Sequence, residues 1–268
     1  MHSYLADAHF DGINGNRDLS RMTVAIQGFG NVGYHAAKFL SEDDKAKIIC
    51  VIEHDGAIYD PAGIDIEALK QHQITSGSIK DFTGGSVSIT QDEGLWVACD
   101  ILVPAAMENA ITMAKVDEVR AKLIVEAANG PIRFDADQIL RSRGITILPD
   151  LFVNAGGVAV SYFEWIKNLT HIPFGLMERR RQERRGMTLT HAMEEISGKQ
   201  LSPDLRQELI GSGNEIDLVR SGLEDVMRNA YERMSTALSQ NPELKDFRTA
   251  AYVCSIQSIE AAYDAIGI

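Results

Sequence analysis

Thr23-Val24-Ala25-Ile26-Gln27-Gly28-Phe29-Gly30-Asn31-Val32-Gly33-Tyr34-His35-Ala36-Ala37-Lys38-Phe39-Leu40 reads as a buried strand, a glycine-rich turn and an amphipathic helix. Val24, Ala25 and Ile26 form a short apolar run suited to a central parallel strand. Val32, Ala36, Ala37, Phe39 and Leu40 recur at helical spacing. Between them Gly28, Gly30 and Gly33 stand in G-x-G-x-x-G order. Gly28 lets the chain leave the strand in a tight turn. Gly30 lets the backbone approach a pyrophosphate, and Gly33 lets the helix lie near the strand. The free N–H groups of the helix start, with the helix dipole, then attract negative charge.

The motif alone is weak evidence, because an ordinary α/β turn followed by a solvated glutamate has the same letters. Its context decides. A second apolar run, Ile48-Ile49-Cys50-Val51-Ile52, completes a β-α-β unit and ends in Glu53, 20 residues after Gly33. An acidic side chain there accepts hydrogen bonds from an adenosine ribose. It also repels a 2′-phosphate: like charges ~4 Å apart at an effective dielectric of ~20 cost about 4 kcal/mol. The stretch therefore predicts dinucleotide binding, with NAD favoured over NADP.

Composition limits what else the chain can be. Its 268 residues suffice for one large domain or two small ones, and 45% apolar content is ample for a core. A formal net charge of −12 argues against nucleic acid or an anionic membrane surface as partner. Cys50, Cys99 and Cys254 are odd in number and widely spaced, which suggests neither a disulfide framework nor a CxxC metal site. Cys50 and Cys99 lie in apolar runs and read as small core residues. Met1 to Asp11 lacks an apolar signal region and no run is long enough for a membrane helix, so a cytoplasmic location is expected.

Residues 1–20 read as a polar lead-in with turns at Asp11-Gly12 and Asn14-Gly15 and a short helix around Tyr4 to Ala8. After Glu53 come a turn at Asp55-Gly56, a short helix over Ile64 to His72, and a Gly-, Ser- and Thr-rich stretch over 74–94 with a small strand at Val87 to Ile89. His54 and His72 read as exposed histidines near turns. Cys99 to Ala106 is a buried strand stopped by Pro104, with Ala105 and Ala106 small enough for a ligand to approach its carboxyl end. Leu123 to Pro131 repeats the design and presents Asn129. A helix near Asp135 to Arg143 ends at Gly144, and Ile145 to Leu148 makes another strand. The alternation predicts an α/β fold, a Rossmann-like doubly wound and mostly parallel sheet covered on both faces, with additional C-terminal helices.

Asn154 stands at a helix N-cap position. Gly156 and Gly157 leave the first turn bare, costly unless a nicotinamide ring or substrate packs there. Ser161 lies two turns further on the same face. The expected organisation is a lead-in over 1–20, a dinucleotide-binding domain over 21–170, a helical insertion over 171–222 and C-terminal helices over 223–268. The charge run Glu178 to Arg185 reads as a solvated helix face or subunit contact. The closing helix, Phe247 to Ala265, offers Ala251, Val253, Cys254, Ile256, Ile259 and Ala262 as apolar candidates.

Thr23 to Leu40, Asp55 to Pro61, Cys99 to Ala106, Ile124 to Pro131 and Pro149 to Trp165, in that order, resemble the cofactor-binding domain of glutamate dehydrogenases. Phe247-Arg248-Thr249-Ala250-Ala251-Tyr252 is similar to the family's C-terminus, and Ser161-Tyr162-Phe163-Glu164-Trp165 is similar to the glutamate enzymes rather than the leucine or phenylalanine ones. The resemblance implies oxidative deamination of L-glutamate to 2-oxoglutarate and ammonia, with hydride transfer to a nicotinamide coenzyme. It implies that Gly28, Phe29, Gly30, Asn31, Val32 and Gly33 hold the pyrophosphate and Glu53 the adenosine ribose. Asn129 and Asn154 would contact the nicotinamide ribose and carboxamide, with Ala105, Ala106 and Ala127 near the coenzyme and Ser161 on the substrate's side-chain carboxylate. It also implies a homo-oligomer, a hexamer in the full-length family.

The chain departs from the family pattern in two ways. The family's substrate domain, with its carboxylate-gripping lysines and proton-moving aspartate, does not fit into residues 1–20, so no catalytic residue is expected here and the chain alone should be nearly inactive. Residues 171–215 are longer than the connection in many bacterial members. The competing readings are a standalone dinucleotide-binding regulatory module and a leucine-, phenylalanine- or valine-type dehydrogenase.

Overall fold

The computed structural model describes residues 1–10, 12–13, 15–84, 86–170, 176–210 and 215–267. Side chains at 167, 170, 176–182, 207–208, 210, 215 and 218 are not described, so most of the Glu178 to Arg185 charge run lies outside the described side chains. The strands are β1 (Thr23–Gln27), β2 (Lys47–Glu53), β3 (Gly56–Tyr59), β4 (Val87–Ile89), β5 (Ile101–Pro104), β6 (Leu123–Val125) and β7 (Thr146–Leu148). The helices are α1 (His2–Ala6), α2 (Asn31–Glu42), α3 (Ile66–Ser76), α4 (Gln91–Leu95), α5 (Phe134–Ser142), α6 (Asp150–Val153), α7 (Ala155–Thr170), α8 (Leu176–Ser197), α9 (Pro203–Ile210), α10 (Glu215–Gln240) and α11 (Phe247–Ile266). They form two compact units, Met1–Ala155 with Ala230–Ile268, and Gly156–Asn229. These boundaries fall after 155 and 229, where the sequence suggested breaks after 170 and 222.

In the first unit one sheet has the order β4-β3-β2-β1-β5-β6-β7. Strands β2, β1, β5, β6 and β7 run parallel, and β3 and β4 add antiparallel on the β2 side. The mostly parallel, doubly wound sheet expected from the alternation is therefore present. From β1 the chain steps to β2 on one side and later to β5 on the other. The carboxyl end of β1 is thus the switch point, where ligands of such sheets bind.

Burial explains the strand sequences. Val24, Ala25 and Ile26 are consecutive and all buried, so β1 is covered on both faces. On one face Ala25, Ile52, Leu102, Ile124 and Ile147 pack with Leu95 of α4 and Ala136 and Leu140 of α5. Cys50 and Cys99 belong to this cluster as small apolar residues, and burial pushes both thiols up to about 12.

Several local expectations need correction. Along α2 the buried side is Gly33, Ala37 and Leu40, spaced four and three residues apart. Val32 and Phe39, expected on that side, are 54% and 44% exposed. Helix α3 runs on to Ser76, capped by the Asp65 side chain at its start and by Gly77 with φ +78° at its end. The stretch after it contains α4, closed by a capping box between Thr90 and Glu93. Along α11 only Phe247, Ala250 and Ala251 are buried, while Ile256 and Ile259 are exposed. The lead-in packs into the core of the first unit. Tyr4, Leu5, Ile13 and Leu19 are buried, and the Tyr4 and Phe10 rings pack on Phe247.

The second unit is helical. An ideal Cβ on Gly156 would meet Leu223 Cδ1 at 3.4 Å and Met227 Sδ at 3.8 Å, so side chains of α10 cover that glycine. The bare first turn expected to await a ligand is covered at Gly156 by protein, while the space beside Gly157 is open.

Candidate functional site

The glycine turn leaves β1 directly over the switch point. Gly28 has φ +92°, and a Cβ there would lie 3.0 Å from backbone atoms of Ala105 and Ala106. Its N–H donates to the Ile52 carbonyl at 2.7 Å, and the Ala105 N–H donates to the Gln27 carbonyl at 2.7 Å. A Cβ on Gly33 would fall 1.8 Å from the Gly28 carbonyl oxygen, so that position admits only glycine if the turn keeps its shape. Gly30 differs from both: a Cβ there meets nothing within 4 Å. Gly30 caps α2 without a side chain, and the first N–H groups of the helix have no intrahelical acceptor. Asn31 and Val32 are exposed beside them.

Phe29 is held on both sides. Its N–H donates to Glu53 Oε1, and its carbonyl accepts from Lys70 Nζ at 3.2 Å. Its buried ring meets Tyr34 edge-on and sits under the Lys70 ammonium, 5.3 Å from the ring centroid. Glu53 thus ends β2 with one oxygen tied to the turn. Its other oxygen lies 3.3 Å from His54 Nδ1. His54 is exposed, as expected, while His72 is half-buried, with Nε2 2.6 Å from the Lys80 carbonyl oxygen.

On the other side of the switch point, the Ala127 and Ala128 N–H groups donate to the Pro104 carbonyl at 3.0 and 2.9 Å. The loop continues to Asn129, whose Oδ1 accepts from Asn154 Nδ2. The two asparagines singled out 25 residues apart in sequence are therefore side-chain partners. Asn154 sits between α6 and α7, and its side-chain amide nitrogen donates to Asn129.

Beneath this pair lies a charged cluster that sequence reasoning missed. Arg248, in the first turn of α11, donates to Glu126 Oε1 at 2.8 Å, to Asp137 Oδ1 at 3.1 Å and to Asp150 Oδ1 at 3.2 Å. Glu126 is fully buried, and its Oε2 accepts from the Asp150 N–H at 2.9 Å. Asp150 Oδ2 accepts from the Gly130 N–H at 2.8 Å. Arg141 joins through Asp137, with Nε 2.6 Å from Oδ2 but not aligned as a hydrogen bond, and through Asp246. Burial raises the Glu126 carboxyl above its ordinary range, with Arg248 pulling the other way. The available sequence signal was Glu126 itself, an acid directly following the apolar run of β6.

Ser161 is exposed on α7 in the second unit. Among the described residues no group of His, Cys, Asp and Glu could hold a metal ion, and no helix is long and apolar enough to cross a membrane.

A doubly wound sheet whose first crossover begins in a glycine turn, with an acid at the next strand's end, defines a Rossmann-type domain. Residues 3–201 match the Glutamate/Leucine/Phenylalanine/Valine dehydrogenase family. The chain belongs to that family. It is 57% identical over 260 residues to a protein named probable glutamate dehydrogenase from Sinorhizobium fredii, covering 97% of this chain and 58% of that protein. It is 35% identical over 252 residues to the NADP-specific glutamate dehydrogenase A1 of Halobacterium salinarum, covering 94% of this chain and 50% of the relative. Among solved structures, the glutamate dehydrogenase of Peptoniphilus asaccharolyticus superposes with a TM-score of 0.62 at 27% identity, over 91% of this chain and 47% of that one. The chain spans about half the length of the curated relatives it matches.

Proposed function

We propose that this chain is the coenzyme-binding part of a glutamate dehydrogenase, which converts L-glutamate to 2-oxoglutarate and ammonia with NAD as oxidant. The observation that carries the reading is the open space at Gly30, between a Gly28 and a Gly33 that are both closed in by backbone. A pyrophosphate fits there, against N–H groups of Gly30, Asn31, Val32 and Gly33 at the positive end of α2. Phe29, clamped by Glu53 and Lys70, keeps the turn in shape before any ligand arrives. Glu53 accepts from the adenosine ribose with its remaining lone pairs. Ala105, Ala106 and Ala127 leave room for the dinucleotide beyond the strand ends. Asn129 and Asn154 offer amide donors and acceptors to the nicotinamide ribose and carboxamide, and Ser161 a hydroxyl to the substrate's distal carboxylate. The bound coenzyme supplies the hydride acceptor. The groups that grip the substrate and move protons belong to other parts of the whole enzyme, so turnover is a property of that enzyme. It works as a homo-oligomer, a hexamer, in the cytoplasm.

Calorimetric titration of the chain with NAD and NADP tests this. Binding of both, tighter for NAD, supports it, and absence of heat with either at millimolar concentration overturns the reading. Glu53→Ser removes the charge that would face a 2′-phosphate. It should narrow the NAD-over-NADP preference by about tenfold or more, within the repulsion of about 4 kcal/mol at ~4 Å. An unchanged ratio would mean that Glu53 does not set the preference.

A further inference from the structure

The two asparagines of the nicotinamide half sit on separate loops, and one buried guanidinium ties those loops together. Glu126 precedes Asn129 by three residues and Gly130 follows it directly; Asp150 opens the short helix that ends at Asn154. Arg248 bonds Glu126 and Asp150 at once, Asp150 reaches the Gly130 N–H, and Glu126 holds the Asp150 N–H. Both anchors of the Asn129 loop and the anchor of Asn154 thus depend on a residue about 100 positions away on α11. Arg141 cannot substitute, because its described contacts are Asp137 and Asp246.

We infer that Arg248 is a positioning residue that sets the Asn129–Asn154 pair for the nicotinamide end of the coenzyme, leaving the adenosine end to the glycine turn and Glu53. The inference rests on the coenzyme reading above. It assigns to α11 a task that neither its packing nor the turn explains: a flat guanidinium with several fixed donors meets three carboxylates in one arrangement, and a lysine ammonium cannot.

The test compares two probes on the same protein, ADP, which lacks both nicotinamide and its ribose, and NADH, whose nicotinamide fluorescence reports its surroundings. In Arg248→Lys, folding being checked by circular dichroism, ADP affinity should stay within about twofold of the parent, as expected for distant independent sites. NADH affinity should drop about tenfold, the size of a lost hydrogen bond, and the fluorescence change on binding should vanish. If a folded variant keeps the parent's NADH to ADP ratio, or loses both ligands equally, the inference is overturned. If Arg248→Lys does not fold, Asp150→Asn decides by the same ratio. A fall of about threefold supports the inference, being a fraction of one hydrogen bond, and an unchanged ratio overturns it. Failure of the coenzyme reading shows separately, as a parent protein that binds neither probe, and it removes the inference as well.

Discussion

Gly30 and Gly33 sit three residues apart and are glycine for opposite reasons. Gly33 has backbone where its Cβ would go, 1.8 Å from the Gly28 oxygen, while Gly30 has nothing within 4 Å. Gly33→Ala must push the turn apart, and overpacking of this kind costs about 1–3 kcal/mol. A urea melt should show that loss. Gly30→Ala should shift the same melt by no more than about 0.5 kcal/mol, yet abolish detectable NAD binding by calorimetry, because the methyl occupies the space for the pyrophosphate. Both glycines and their separate roles, Gly30 for the ligand and Gly33 for the packing of the helix, were legible from the motif; how closely backbone crowds Gly33 was not, since that depends on what lies across the gap. Glu53 was legible from its spacing. That it grips the Phe29 N–H required the strand and the turn to be in place.

At the scale of elements, periodicity revealed that α2 is amphipathic but misjudged its phase. Its tight approach at Gly33 sets the buried line through Ala37 and Leu40 and turns Val32 and Phe39 outward. Helix α4 was legible in principle, because Thr90-x-x-Glu93 is a capping-box signature, but its Gly94 and the Ser- and Thr-rich stretch before it concealed so short a helix. Thr90→Ala should lower stability by about 1 kcal/mol in chemical denaturation and leave nucleotide binding unchanged, since α4 packs on β1, β2 and β3 and supplies none of the residues named for the coenzyme. Gly156 is the reverse case. Its bareness suggested a ligand, and packing from α10 accounts for it.

On the scale of the first unit as a whole, the two ends of the chain meet. Asp7, with a side chain 9% exposed, accepts from Tyr231 at 2.9 Å, from Ser235 and from the His9 N–H at 2.9 Å. Burial alone would raise its carboxyl, but the hydrogen bonds from Ser235, His9 and Tyr231 outweigh it and hold the group at about 2. A folded value below the unfolded one, ~3.9, means that the stabilisation is complete above about pH 4 and is lost as pH falls towards 2. The loss amounts to about 2 kcal/mol. Asp7→Asn should therefore melt earlier than the parent at pH 6 and converge with it at pH ~2; parallel melting curves across that range would contradict the assignment. Arg248 belongs to the same scale, since its partners lie about 100 residues away and no local pattern pairs them.

The sequence by itself determined the alternation of strand and helix, the glycine turn, the acid that follows it and the two asparagines. All of these are written in short windows, where chain geometry and side-chain period act directly. Tertiary structure alone decided that the lead-in is core, that Asn129 and Asn154 face each other, and that one arginine from the last helix holds their loops. Those outcomes depend on which distant groups must share a buried space, and a buried charge takes whatever partners the fold brings within reach.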